Sequence, residues 1–147
     1  MEKPDNKITE FIKKHHVLTL ATSLNNQPWC ANCFYAYLEE ENTLVFTSNE
    51  QTRHIHEGMK NRSIAGSIVL ETEIIGKIQG IQFEGQLVRS QEKDAGTFKK
   101  CYLKRFPYAI ITGTPIWGIE LNHIKFTDNR LGFGKKLIWK KELKSTL

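Results

Sequence analysis

The chain lacks several features that would place it in a function class at once. Its 147 residues include three cysteines, and this odd number argues against a disulfide framework and favours a reducing compartment. No apolar run approaches the roughly 20 residues that a membrane-spanning helix needs, and the first residues carry no apolar signal core. We therefore expect a cytoplasmic protein that does not associate with membranes.

Motifs of the common enzyme classes are also missing. The sequence has no glycine-rich phosphate loop, no dinucleotide-binding fingerprint, no Ser-His-Asp set and no paired catalytic carboxylates. Residues 30–33, Cys-Ala-Asn-Cys, have the spacing of half a zinc or dithiol site, but no second pair accompanies them. In an extended strand, residues three apart face opposite sides. We expect no metal site there, and small apolar strand residues instead.

Length and charge set the next limits. A chain of 147 residues with 39% hydrophobic content suits one domain with its own core, which we expect to span residues 1–147. The net charge of +5 favours anionic partners, from a phosphorylated cofactor to nucleic acid. No helix-turn-helix or aromatic RNA-binding pattern is present, so we expect no nucleic-acid partner. The basic residues gather late in the chain, at Lys135, Lys136, Lys140, Lys141 and Lys144.

Hydrophobic periodicity predicts a mainly β protein of the α+β class. Helical spacing predicts short helices at residues 5–15, 52–59 and 91–106. Extended patterns predict strands at residues 17–22, 29–38, 43–48, 63–70, 77–89, 117–126 and 131–140, with a turn at 128–129. The alternation is clearest in 77–89, where Ile81, Phe83, Gly85 and Leu87 share one side. Six or seven antiparallel strands with three helices indicate a small barrel.

The third predicted strand leads into a candidate phosphate site. It ends in two hydroxyls, Thr47 and Ser48, and a polar turn follows. Thr52 can then cap a helix whose first turn carries Arg53 and His54. A helix start offers unpaired N–H groups and the positive end of the helix dipole, which hydroxyls and a guanidinium complete as a cradle for a phosphate dianion. The alternative is an ordinary Thr-capped helix with a solvated arginine.

Residues 124–136 admit two interpretations. In the first, Asp128 and Asn129 form a hairpin turn, and Gly132 and Gly134 relieve crowding in a kinked strand. In the second, the same glycines let the backbone approach a ligand while Lys135 or Lys136 meets an anion. The sequence alone leaves both open.

Several motifs together resemble a known superfamily. They are Thr52-Arg53-His54 after the third strand, the strand 81–85 (Ile-Gln-Phe-Glu-Gly), residues 29–32 (Trp-Cys-Ala-Asn), residues 105–107 (Arg-Phe-Pro) and residues 125–136. This order resembles the pyridoxamine 5'-phosphate oxidase-like FMN-binding split barrels, and in particular the uncharacterised bacterial YhbP-like family. In the superfamily a Ser-Arg-Lys triplet grips the FMN phosphate, and His54 stands here where lysine is usual.

The resemblance implies an antiparallel split β-barrel of six or seven strands with short peripheral helices. It also implies a homodimer that holds FMN between its subunits. Any enzyme activity would be that of an oxidoreductase on an unidentified small molecule, with the hydride chemistry carried by FMN; the alternative is a non-catalytic module that binds flavin or another phosphorylated ligand. The implied cofactor-binding residues are Asn32, Cys33, Phe34, Tyr35 and Tyr37 beside the ring, Thr47, Ser48, Thr52, Arg53 and His54 at the phosphate, and Lys135 in the late basic segment.

Overall fold

The computed structural model describes residues 2–111 and 113–143, so Lys144 lies outside the described residues. Three helices are present: α1 (Asn6–Lys14), α2 (Arg53–Lys60) and α3 (Ala95–Arg105). None of the helices in these ranges is long and apolar enough to span a membrane. The strands are β1 (Val17–Leu24), β2 (Gln27–Leu38), β3 (Thr43–Thr47), β4 (Ser63–Val69), β5 (Gln79–Arg89), β6 (Ile116–Asp128) and β7 (Lys136–Lys140).

The strands form one antiparallel sheet in the order β3-β2-β1-β4-β5-β6-β7. An additional pairing of β3 with β6 closes this sheet into a barrel and leaves β7 as an edge strand on β6. The predicted mainly β fold, a small antiparallel barrel with three short helices, is therefore confirmed. Among the described strands, β6 alone has three strand partners, β3, β5 and β7.

The barrel interior is filled by the alternating apolar residues of its strands. On β5 one side is buried, with Ile81, Phe83, Gly85 and Leu87, whereas the intervening residues 82, 84 and 86 are exposed, as the period-two pattern predicts. Helix α1 closes one end with Ile8, Phe11 and Ile12, and this predicted apolar face is buried. The Tyr35 hydroxyl on β2 donates to the Ile12 carbonyl oxygen over 2.6 Å, which fixes the helix to the core.

A second, smaller core lies outside the barrel beneath α3. There Phe98 and Tyr102 of the helix pack against Ala36, Val45 and Val88 of the sheet. Helix α3 is shorter than predicted because Asp94 starts it: the Asp94 carboxylate accepts from the backbone N–H of Thr97 over 3.1 Å.

The predicted last strand, 131–140, is also shorter than expected. Only Lys136–Lys140 is strand, because the chain first makes a single 3₁₀ turn at Asn129–Leu131. Gly132 and Gly134 then have φ angles of 139° and 70°, which fall outside the range of a strand. The glycines therefore shape a turn between β6 and β7 and do not kink a continuous strand.

Gly66 on β4 provides a test of barrel packing. A Cβ atom at Gly66 would clash with the Thr19 carbonyl oxygen of β1 and the Phe83 ring of β5, because both would lie closer than the van der Waals contact distance. We expect Gly66→Ala to lower the free energy of unfolding by roughly 1–3 kcal/mol, because the backbone oxygen cannot move aside. Urea unfolding measures the change. The control is Gly76→Ala, where nothing lies within 4 Å of the added methyl; equal losses in both variants would contradict this account.

Candidate functional site

The end of β3 is held in place by β6. Thr47 pairs with Ile116, and the next backbone N–H, that of Ser48, donates to the Pro115 carbonyl oxygen over 3.2 Å. The buried Trp117 indole donates from Nε1 to the Ser48 carbonyl oxygen over 2.9 Å. Both backbone polar groups of Ser48 are thus used, and its hydroxyl points toward the start of α2.

That hydroxyl belongs to a polar cluster. Ser48 Oγ lies 2.6 Å from His54 Nε2, and Thr52 Oγ1 lies 3.4 Å from each of these two atoms. Thr52 occupies the N-cap position of α2, yet its hydroxyl donates to the Asn49 carbonyl oxygen over 2.8 Å and caps no helix N–H. The predicted side-chain cap is therefore wrong, because the preceding turn competes for the same hydroxyl.

The missing cap leaves donors free at the start of α2. Within the described ranges, the backbone N–H groups of residues 53–55 have no hydrogen-bond partner. Such groups carry the partial positive charge of a helix N-terminus and are suited to an anion. The structure thus brings the unpaired N–H groups together with Ser48, Thr52 and His54, which are four elements of the phosphate cradle expected from sequence.

His54 is half-buried between these groups. Burial lowers the pKa of its imidazole from the ordinary value, because a charged ring is less well solvated there. The free site therefore favours a neutral His54 that shares a hydrogen bond with Ser48. A phosphate dianion would act in the opposite direction and favour the charged ring.

Arg53 is not the solvated arginine of the alternative interpretation. Its Nε donates to Glu57 Oε1 over 2.7 Å, one helical turn later, and its guanidinium carbon lies 4.2 Å from the centre of the Trp29 ring. In the described part of the chain the two Nη groups have no hydrogen-bond partner. The bond to Glu57 and the stacking on Trp29 therefore fix the orientation of the Arg53 guanidinium, and its two Nη groups remain available as donors.

Glu57 makes this arrangement possible. The carboxylate is buried, and its second oxygen accepts from the Thr22 hydroxyl over 2.7 Å. The hydrogen bond from Arg53, followed by that from Thr22, lowers the pKa of the Glu57 carboxyl, so it stays charged near neutrality. A Glu four residues after an Arg on a helix is a sequence signal that indicates such a pair. No sequence signal indicates the contacts of Thr22 and Trp29, which come from distant strands.

The predicted ring-binding strand divides its side chains between two faces. Asn32 and Phe34 are exposed on the outer surface of β2, whereas Cys33 and Tyr35 point into the core. Burial raises the pKa of the Cys33 thiol to about 11, so it is an inert thiol. The Tyr37 hydroxyl is occupied by Asn42 Oδ1 at 2.6 Å. The side chains of Cys33, Tyr35 and Tyr37 are thus engaged in core packing and internal hydrogen bonds.

The backbone of the same strand is available in part. Strand β3 pairs with β2 only from Tyr35 to Leu38, whereas β1 pairs with its Gln27–Phe34 portion. No strand in the described chain covers the other edge of that portion. The stacking of Arg53 on Trp29 places the α2 start beside this open edge. A row of unpaired main-chain groups and the phosphate cradle are therefore adjacent.

Lys135 lies at the other end of the barrel. Ser48 adjoins the start of β6, whereas the Lys135 carbonyl oxygen accepts from the backbone N–H of Asp128, the last residue of that strand. The thirteen residues of β6 separate the two positions. Within one chain, the structure does not bring Lys135 together with the other predicted site residues.

Comparison of the sequence with curated proteins finds close relatives. The chain is 40% identical over 134 residues to a UPF0306 protein of Photorhabdus laumondii, covering 91% of this chain and 94% of that protein. It is 36% identical over 134 residues to the UPF0306 protein YhbP of Escherichia coli, covering 91% and 96%. No family model matches the chain.

Comparison with solved structures finds proteins of the same split-barrel fold. A heme-binding protein from Mycobacterium smegmatis superposes with a TM-score of 0.75 at 14% identity, covering 95% of this chain and 60% of that one. A NimC/NimA family protein from Clostridium acetobutylicum gives 0.68 at 18% identity, covering 92% and 90%. An FAD-binding protein from Mesorhizobium loti gives 0.66 at 12% identity, covering 80% and 89%.

The buried carboxylate at the centre of the site leads to a stability prediction. We expect Glu57→Gln to be less stable than the wild type at pH 7, because the neutral amide loses the charge-assisted bond to Arg53. Folding lowers the pKa of the Glu57 carboxyl. The stability advantage of the wild type over Glu57→Gln should therefore be full above about pH 4.5, and it should vanish as the pH falls through the pKa of Glu57 in the folded protein. Thermal unfolding at several pH values measures this difference.

The control for this prediction is Glu92→Gln. Glu92 also pairs with an arginine, Arg62, but both side chains are partly open to solvent. Exposed ion pairs contribute little to stability, so this substitution should change the unfolding midpoint far less. Equal effects of the two substitutions would show that the burial of Glu57 is unimportant.

Proposed function

The chain belongs to the UPF0306 (YhbP-like) family, and from that premise and the geometry of the site we propose that it is a flavoprotein of the pyridoxamine 5'-phosphate oxidase-like type that binds FMN. One observation carries the proposal: the guanidinium of Arg53, held by Glu57 and Trp29, has free terminal donors beside the unpaired N–H groups of the α2 start.

The phosphate of FMN suits this cradle in charge and in hydrogen-bonding capacity. A dianion accepts several hydrogen bonds, and the unpaired N–H groups of residues 53–55 with the Nη groups of Arg53 supply donors without ligand-induced rearrangement of the backbone. The hydroxyl of Ser48 and the imidazole of His54 would add donors at the rim, whereas the Thr52 hydroxyl already donates to the Asn49 carbonyl oxygen. Thr47 is less available, because its hydroxyl donates to the Tyr102 hydroxyl at 3.2 Å.

The flavin ring would lie along the open edge of β2. Its polar edge needs hydrogen-bond donors and acceptors, and the backbone of residues 29–34 supplies both where no strand covers it. The exposed side chains of Asn32 and Phe34 would flank the ring, while Cys33, Tyr35 and Tyr37 would contribute only their backbone. Split-barrel neighbours that bind FAD or heme support a planar cofactor of this size. The cradle suits a terminal phosphate dianion, which FMN carries and which heme and FAD lack.

Bound FMN would supply two-electron chemistry on a small organic substrate. The protein would contribute binding, orientation and the electrostatic field of the Arg53–Glu57 pair. A non-catalytic flavin-binding module is the alternative within the same proposal. Steady oxidation of a nicotinamide donor by the purified flavoprotein would support an enzyme, whereas tight flavin binding without turnover would support the module. The visible spectrum of protein purified without added cofactor tests for flavin itself.

We expect the protein to form a homodimer with FMN at the subunit interface. Val17 and Phe34 are exposed apolar side chains on the outer face of β1 and β2, and Phe34 keeps 59% of its surface accessible. An adjoining groove of about 450 Å³ on the outer sheet is lined by small residues, including Thr19, Ala21, Cys30 and Ala65. Such a surface suits a second subunit. Light scattering should give about 34 kDa, twice the chain mass of 17.0 kDa; a monomer at micromolar concentration would contradict the shared site.

Arg53→Ala should weaken FMN binding by about 1.5–3 kcal/mol, the range for hydrogen bonds to charged groups, while the fold survives. Flavin fluorescence titration measures the affinity. The control is Arg62→Ala, which removes the same charge from a residue whose partner is the exposed Glu92. A second comparison, between Glu57→Gln and the double variant Glu57→Gln/Arg53→Ala, removes the effect of an unpaired buried carboxylate. Unchanged affinity in the Arg53 variants would place the phosphate elsewhere.

The affinity for FMN should increase as pH falls from 8 to 6. Burial lowers the pKa of His54 in the free site and a bound dianion would raise it, so binding takes up a proton between those two values. His54→Lys should bind at least as tightly at pH 8 and lose part of this dependence. Protonation of the FMN phosphate affects both proteins equally. Parallel affinity curves for wild type and His54→Lys would exclude His54 as a phosphate ligand.

A further inference from the structure

A separate cavity of about 230 Å³ lies between α1 and the end of the barrel formed by β5 and β6. Its lining includes Lys7, Phe11 and Lys14 from the helix, Gln79 and Phe126 from the strands, and Arg130 from the turn that follows. The cavity adjoins the end of β6, whereas the Ser48 cluster adjoins the start of that strand. It is therefore distinct from the phosphate cradle.

Gln79 is the feature that points to a ligand. Its residue is only 9% exposed, and its side-chain amide has no hydrogen-bond partner among the residues that the structure describes. The amide is not sealed off, since Asn42 Nδ2 is the one fully buried side-chain atom without a partner in those residues. The side-chain amide of Gln79 thus reaches the cavity that this residue lines. Its N–H and C=O groups are therefore open to a polar group that enters the cavity, and such a group would satisfy them with hydrogen bonds.

The charges around the cavity favour an anion. The ammonium groups of Lys7 and Lys14 make no ion pair within the described chain, although Glu10 lies between them on α1. The Arg130 guanidinium is neutralised by Asp128 through contacts of 3.1 and 3.0 Å. Three cations thus face two carboxylates, and one of those carboxylates is already fully paired.

The remaining wall is apolar, and its two rings are tilted by 46° to each other. The rings of Phe11 and Phe126 lie with their centroids 5.2 Å apart and are both buried. The volume is below the range of about 300–1,000 Å³ that is typical of drug-sized ligands. A small aromatic molecule fits this volume, and its ring can pack edge-to-face against the tilted rings of Phe11 and Phe126.

We propose that this cavity binds a small aromatic monocarboxylate. The carboxylate accepts hydrogen bonds from the Gln79 amide and lies near the ammonium groups of Lys7 and Lys14, while the ring packs against Phe11 and Phe126. This site does not depend on the binding of FMN at the other end of β6.

Benzoate is the probe, and benzamide is its neutral counterpart of the same shape. Titration followed by the backbone amide signals of α1 and β5 in two-dimensional NMR should show saturable binding of benzoate and at least tenfold weaker binding of benzamide. The double variant Lys7→Gln/Lys14→Gln and the variant Gln79→Leu should each weaken benzoate binding roughly tenfold or more. Lys13→Gln is the matched control, because Lys13 lies on the same helix but pairs with Glu39 outside this cavity.

Absence of saturable benzoate binding at millimolar concentration would overturn the proposal. Equal binding of benzamide, or equal weakening by Lys13→Gln, would also overturn it, because the carboxylate would then not be recognised by this site. If Gln79→Leu fails to fold, the lysine double variant decides, since both lysines are on the surface. Flavin titration of the same variants is a separate measurement, and its outcome bears only on the proposed FMN site.

Discussion

The backbone hydrogen bonds between β3 and β6 close the sheet, and most of the candidate site is positioned by that closure. Through them Ser48 meets Pro115 and Trp117, so that the chain leaves β3 in a fixed direction. The loop that follows then brings Arg53, at the start of α2, against Trp29 of β2. Without this pairing, Thr47 and Ser48 would have no strand partner, because β2 pairs with β3 only as far as Phe46.

A second constraint is the buried carboxylate of Glu57, which joins α2 to β1 through Thr22 and orients Arg53. A charge in this position is tolerated only because both oxygens have partners. The same bonds that satisfy Glu57 hold the guanidinium in one orientation over Trp29 before any ligand arrives. A preorganised donor loses less conformational entropy on binding than a free surface arginine would. Stability and the proposed recognition of the FMN phosphate would thus depend on one ion pair.

Local patterns were sufficient to predict the architecture, and they failed where contacts are distant or where turns override periodicity. The apolar face of α1 and the alternation of β5 are properties of single segments, and both are confirmed. The predicted side-chain cap by Thr52 is wrong, because the Asn49 carbonyl oxygen competes for the Thr52 hydroxyl. Arg53 was identified, but its contact with Trp29 depends on the path of β2 past α2. Lys135 lies far from Ser48 because β3 ends beside the start of β6 whereas Lys135 follows the end of β6, and the pairing of these two distant strands is not apparent from the sequence.

The open edge of β2 has a consequence for the behaviour of the protein in solution. An uncovered row of backbone N–H and C=O groups is a template on which another polypeptide can add a strand, and this is a common route to aggregation. Pro28 removes one donor from the Gln27–Phe34 portion, and Arg53 stacked on Trp29 shields another part of it. The remaining groups are protected only by whatever occupies the edge. A molecule bound along this edge would therefore also protect the folded protein from aggregation.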